Sequence, residues 1–253
     1  MSNANTSNST TDVGYFGSGD IEKGRPSHLE RAVTPGGHPI DFSQPAIPVQ
    51  HRKYGNPIPI GLIAFSMAFL MTGLLNFGVR GIKAPNGVLS SLMFFVGITQ
   101  TLVGWFEMFI GNTFSATIFC AFGGFAFSYV GFFLPAMGIV DAFTDKVTGE
   151  VSPDLSNSLG LFLAIWSGIT FLFLLAALRS SVAIILVLFF TTMAFALLAA
   201  QQFTGSLGVA RAAGAFCVMD AACGFWAAMA GYWTPDTTYA FIRVDPIDLS
   251  PKD

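Results

Sequence analysis

Charge is what this sequence lacks most. Asp, Glu, Lys and Arg make up 11% of its 253 residues, against 53% hydrophobic residues. A soluble domain carries about 25% charged residues. Charge this sparse does not solvate the surface of a water-soluble globule; it suits an outer surface that faces lipid. The mean hydropathy of +0.61 agrees. Net charge is only −3, and no basic block marks a nucleic-acid partner. Histidine is missing beyond residue 51: His28, His38 and His51 all precede the first long apolar run. The apolar part therefore has no histidine cluster, which removes most haem and di-metal membrane enzymes, so no metal or cofactor is expected. Three cysteines, Cys120, Cys217 and Cys223, sit inside apolar runs. An odd count placed there speaks against a disulfide framework. No glycine-rich phosphate loop and no nucleophile–base pair of usable spacing occurs, so the chain does not read as an enzyme.

Apolar runs fill the rest. Residues 57–79 carry no charge; residues 88–110, 113–140, 155–178, 181–200 and 209–233 follow, separated by turn residues and a few charges. A helix needs roughly 20 apolar residues to cross the hydrocarbon, and it satisfies its own backbone there. The chain reads as an all-α membrane protein with six transmembrane helices in a channel-like bundle. Residues 1–53 are rich in Ser, Thr, Asn and Gly, with prolines recurring from Pro26 to Pro48. They contain no signal-peptide core. Apolar surface is too scarce there to offset ordering entropy, so a disordered cytoplasmic tail is expected. Residues 54–235 form the six-helix domain, and 236–253 a short C-terminal tail. An even number of spans puts both termini on one side. Arg52, Lys53, Arg179, Arg243 and Lys252 lie on that side; Arg80, Lys83, Lys146 and Arg211 lie on the other. Five against four is a weak vote for cytoplasmic termini.

Small residues recur every three or four positions in the last run: Ala210, Ala213, Gly214, Cys217, Ala221, Gly224, Ala228 and Gly231. Such stripes permit close helix packing in lipid, within one bundle or between subunits. Two acidic residues fall inside runs. Glu107 lies near the end of the second: an ionised carboxylate is costly in hydrocarbon, so it is either a proton carrier facing a cavity or a helix-end group wetted at the headgroups. Asp220 lies midway along the sixth, where it serves a proton or substrate contact or an interhelical hydrogen bond. Asn76, Gln100, Asn112, Gln201 and Gln202 line a path or bond neighbouring helices.

The first run opens on "YGNPIPIGL", residues 54–62, with two prolines where a helix begins. The first four N–H groups of a helix have no internal partner, so proline loses little there. With Asn56 as N-cap, Pro57 is N1 and Pro59 is N3. The Asn56 side chain caps Ile58, and Gly61 lets a neighbouring helix approach. This fixes the first helix, or shapes the mouth of a permeation path.

"NPIPIGL" resembles the N-P-x-P-[hydrophobic]-G-L signature of the acetate uptake transporter family, also called succinate–acetate permeases. "GNTF" at 111–114, with Glu107 four residues before Gly111, resembles that family's E-x-x-x-G-N-T-F pattern. "GGF" at 123–125 and "FALLA" at 195–199 also fit. The resemblance covers residues 54–235, and the polar tail resembles the fungal branch. It implies a six-helix protomer with its own pore, assembling as a homo-oligomer, a hexamer in structurally known relatives. It implies movement of acetate and related monocarboxylates in the plasma membrane, by proton symport or as a passive anion channel. A non-transporting sensor on the same fold is the alternative. Ammonium export is also linked with such proteins, although no ammonium-selective constellation stands out. The family's constriction, an aromatic, a Tyr and a Leu, falls by motif spacing on Phe65, Phe122 and Thr191. The last two depart from the pattern, which implies a wider or differently tuned gate. Asn56, Asn112 and Thr113 are then candidate donors along the path, Glu107 is the first candidate for proton coupling and Asp220 the second. Pro57, Pro59, Gly61 and Gly111 are structural motif positions.

Overall fold

The computed structural model describes residues 54–82 and 86–249; the expected tail at 1–53 lies outside them. Six long apolar helices dominate: α1 (Ile58–Asn76), α2 (Gly87–Phe109), α3 (Thr113–Gly131), α4 (Pro153–Ala176), α5 (Val182–Thr204) and α6 (Leu207–Tyr232). Each is long and apolar enough to span a bilayer. Among the described residues there is no strand, only isolated bridges at Thr144–Val151 and Ser181–Asp248.

Successive helices alternate in direction, so the bundle has two ends. The starts of α1, α3 and α5 share one, here the Asn56 end. The starts of α2, α4 and α6 share the other, the Asn76 end. The helices close into a ring. α1 packs on α6, α6 on α5, α5 on α4, α3 on α2, and α2 on α1. The remaining seam, between α3 and α4, is aromatic: Phe125 stacks on Phe162 at 5.6 Å and meets Trp166 edge-on at 5.1 Å. Such pairs add about 0.5–1.5 kcal/mol beyond the area they bury.

The small-residue stripe of α6 is used inside this bundle, against α1. A Cβ on Gly73 would stand 2.8 Å from the Gly214 carbonyl oxygen, so the two backbones touch there. The Asn56 cap is present: Ile58 N donates to Asn56 Oδ1 at 3.1 Å. The helix nevertheless begins one residue later than expected. Pro57 is the N-cap, with Ile58 and Pro59 in the first turn. Neither proline breaks a helical bond, for the reason given by the orphan-donor count. Gly61 does admit a neighbour, since a Cβ there would press 2.6 Å against the Phe119 ring of α3.

Two features carry no local sequence signal. Residues 91–97 of α2 form a π-helical segment, a wide turn that shifts the register of the helix around it. The C-terminal segment is also more than a tail. It returns to the start of α5, where Val182 N donates to Ile247 O (2.9 Å) and Ala183 N to Pro246 O (3.2 Å). Leu249 N donates to Ser180 O, and Trp226 Nε1 on α6 to Asp245 O. These carbonyls satisfy first-turn N–H groups that a helix cannot satisfy itself.

Candidate functional site

Two cavities enter the bundle from opposite ends. The wide one, about 660 Å³, opens at the Asn76 end. Thr72, Asn76, Gln201, Gln202 and Arg211 line it, with Tyr129 deeper in. Among the described residues Arg211 is the one charged member of that lining. The narrow one, about 120 Å³, lies toward the Asn56 end and is almost wholly apolar, with Leu62, Phe65, Phe122 and Leu188 on its walls. Gln100 and Ser115 are its polar members.

Phenylalanine rings stand between them. Phe69, Phe125 and Phe195 face the wide cavity, while Phe65 and Phe122 face the narrow one. Ring centroids are 4.5 Å apart for Phe65–Phe69, 5.4 Å for Phe65–Phe122 and 5.7 Å for Phe69–Phe195. Phe125–Phe195 closes the set at 4.8 Å. These five rings come from α1, α3 and α5, and all are buried. An aperture of this kind excludes hydrated ions and yields only by ring rotation or helix displacement.

Thr191 is not in either lining. Its hydroxyl turns to α6, 2.9 Å from Asp220 Oδ2, and also lies 2.8 Å from the Val187 carbonyl. Leu188, three residues earlier, holds the place beside Phe65 and Phe122. Three residues turn an α-helix by about 300°, so Thr191 and Leu188 point about 60° apart, and motif counting gives a residue of α5 that lies outside both linings. A leucine therefore borders the constriction, and of the two departures from the family pattern the missing phenol at Phe122 is the one the lining retains.

The Thr191–Asp220 pair poses a proton count. A hydroxyl carries one hydrogen. The Val187 carbonyl and a carboxylate are both acceptors, so the two short contacts are satisfied together when Asp220 holds a proton and donates it to Thr191. Asp220 is 0% exposed and its Oδ1 has no partner among the described residues, which suits a neutral acid better than a buried charge. Asp220 lines neither cavity.

Glu107, 1% exposed, closes the GNTF turn. Gly111 has φ +85°, a conformation that glycine adopts freely, and it reverses the chain between α2 and α3. Asn112 N then donates to the Glu107 carbonyl at 2.9 Å. Its side chain is fully engaged: Oδ1 accepts from Ser115 N, and Nδ2 donates to Glu107 Oε2 and to Ser115 Oγ. Asn112 thus holds Glu107 beside Ser115, a wall residue of the narrow cavity. Thr113 is exposed at the helix start, and Asn56 is exposed at its cap; neither reaches a cavity lining. Pro59 is buried against Gly231. Among the described residues no group of three His, Cys, Asp or Glu converges as a metal site would require.

The family described as the GPR1/FUN34/yaaH family matches residues 40–250. The chain belongs to the GPR1/FUN34/yaaH family. This is the acetate transporter family that the NPIPIGL and GNTF motifs indicate. Among relatives, the chain is 34% identical over 206 residues to ammonia transport outward protein 2 of Saccharomyces cerevisiae, covering 81% of this chain and 71% of the relative. It is 33% identical over 210 residues to acetate permease A of Emericella nidulans, covering 80% and 70%. The solved structure of the bacterial acetate channel SatP superposes with a TM-score of 0.61 at 29% identity, covering 71% of this chain and 93% of that one. These relatives of the GPR1/FUN34/yaaH chain are named for transport, and the six-helix channel-like fold is shared with a channel.

Proposed function

We propose that this protein moves acetate and related short monocarboxylates across a membrane through each subunit, with proton coupling. The observation that carries the reading is the pair of cavities meeting at one aromatic constriction. A bare carboxylate does not enter hydrocarbon unaided. A wide cavity whose described wall mixes apolar residues with Thr72, Asn76, Gln201, Gln202 and Arg211, followed by an apolar aperture, supplies what a small organic acid needs. The family and the acetate-named relatives support the same substrate class. Among the described residues no Asp or Glu lines either cavity to select ammonium, which favours a carboxylate over the cargo named for the Saccharomyces relative.

The remaining parts follow the family. The protein sits in the plasma membrane with both termini cytoplasmic and assembles as a homo-oligomer, a hexamer by resemblance. Glu107, held beside the narrow cavity, is the coupling group; Asp220 is the second candidate, placed as an interhelical tie. Uptake of labelled acetate into vesicles containing the purified protein, with lactate, propionate and succinate as competitors, tests the proposal. Saturable uptake that the monocarboxylates inhibit is the expected result. Glu107→Gln lowers the pH dependence of that uptake; unchanged pH dependence removes Glu107 from coupling. A passive anion channel, the second reading, is favoured by Arg211, the single cation of the wide cavity. It would carry acetate without moving protons.

A further inference from the structure

Gln100 is the one polar group in the narrow cavity whose hydrogen bonding is incomplete. Its Nε2 donates to the Gly61 carbonyl at 3.3 Å. That partner is an acceptor, so it fixes which end of the amide faces which way. The other end, Oε1, is buried with no partner among the described residues, on a side chain only 1% exposed. A buried acceptor left unpaired is unfavourable, and Gln100 belongs to the wall of a cavity of about 120 Å³; Oε1 lies just behind that wall, so a ligand in the cavity reaches it with a turn of the amide. One water needs about 10–15 Å³, so a molecule of a few heavy atoms fits. The remaining wall is apolar apart from Ser115, and it carries no Lys, Arg or His.

Resting on the transport reading above, we infer that the narrow cavity binds the protonated carboxylic acid, R–COOH, and not the anion, with Gln100 Oε1 accepting the acid's O–H. A carboxylate has no hydrogen to offer Oε1 and would meet it with like charge. The neutral acid supplies the missing donor and lays its alkyl group on Phe65, Phe122 and Leu62. Ser115, the other polar residue of the wall, is the link to Glu107. Its Oγ accepts from Asn112 Nδ2, and its own hydrogen serves either the Glu107 carboxylate or the carbonyl of a bound acid. The wide cavity, with Arg211, suits the anion; the narrow one suits the acid. The step between them is the addition of one proton to the substrate, taken from water or from a carboxyl group such as Glu107. The titratable groups on the helices around Gln100 are Glu107 on α2 and Cys120 and Tyr129 on α3; α1 and α5 carry none.

The test uses the full-length protein in vesicles, with protein-free vesicles subtracted. At one fixed pH, labelled acetate uptake is challenged with acetamide, which offers N–H donors, and with methyl acetate, which is similar in size and more apolar but has no donor. Acetamide is expected to inhibit at least tenfold more strongly, and Gln100→Leu to erase that difference. Separately, the KM in total acetate is expected to rise about tenfold per pH unit above the acid's own pKa, while staying constant in acetic acid. Equal inhibition by the two competitors in the unaltered protein, or a KM constant in the anion, overturns the inference. Neither readout depends on the folding of the variant. Absence of any uptake above protein-free vesicles contradicts transport instead. The cavity's preference is then read from equilibrium binding of acetamide against methyl acetate in detergent, where equal or absent binding overturns it.

Discussion

At the scale of single residues, the decisive distinction is between side chains that face the passage and side chains that only sit near it. Leu188 and Thr191 lie one turn apart on α5, yet the first borders the narrow cavity and the second bonds Asp220. Motif spacing picks Phe65 and Phe122, and both rings line the narrow cavity, because a proline-fixed helix start and a glycine turn give rigid counting origins. It missed Leu188 because "FALLA" sets a register along α5 but not the rotation of that helix about its axis. Asp220 shows the same limit: an acid in the middle of a span announces itself, but only the fold supplies Thr191 as its partner. Replacing Asp220 by Asn keeps a donor for Thr191 and is expected to alter stability by less than about 1 kcal/mol. Asp220→Leu removes it and is expected to lower stability by about 1–3 kcal/mol. Chemical unfolding in detergent measures both, and equal losses would mean that Asp220 is charged and differently paired.

At the scale of elements, the six helices were legible because each apolar run is as long as the hydrocarbon is thick. The π-helical segment at 91–97 was not, having no local sequence signal, and neither was the returning C-terminal segment, whose partners lie far away in the sequence. The second has a measurable consequence. Carbonyls of Pro246 and Ile247 occupy the free N–H groups of Ala183 and Val182 at the start of α5. Truncating the chain before Asp245 is expected to fray that turn at about 1 kcal/mol for each lost bond. Amide hydrogen exchange reads it directly: Val182 and Ala183 should lose protection while the middle of α5 keeps it. In the loop before α4, Asp145 accepts from Val147 N and Thr148 N, and these bonds hold its carboxyl below the usual range. The turn is therefore supported above the ordinary Asp pKa of about 3.9. That support is lost as pH falls through the lower folded value. Protection of Val147 N–H and Thr148 N–H relative to the unstructured peptide at the same pH should hold at neutral pH and fall only in strong acid.

At the scale of the whole molecule, two unlike cavities share one aromatic barrier. The wide side presents a lone cation, so a field effect is expected on top of the contact chemistry. Arg211→Gln should raise the KM for acetate roughly threefold to tenfold at low ionic strength, with the difference shrinking as salt screens the charge. A salt-independent effect would place Arg211 in direct contact with the substrate. The barrier itself is the central claim, and size discrimination examines it most directly. The ratio of labelled acetate to labelled butyrate uptake is measured in vesicles for the unaltered protein and for Phe122→Ala. If the rings around Phe122 form the aperture, acetate is strongly favoured in the first and the preference collapses in the second. A ratio that stays the same after the ring is removed would put the passage elsewhere.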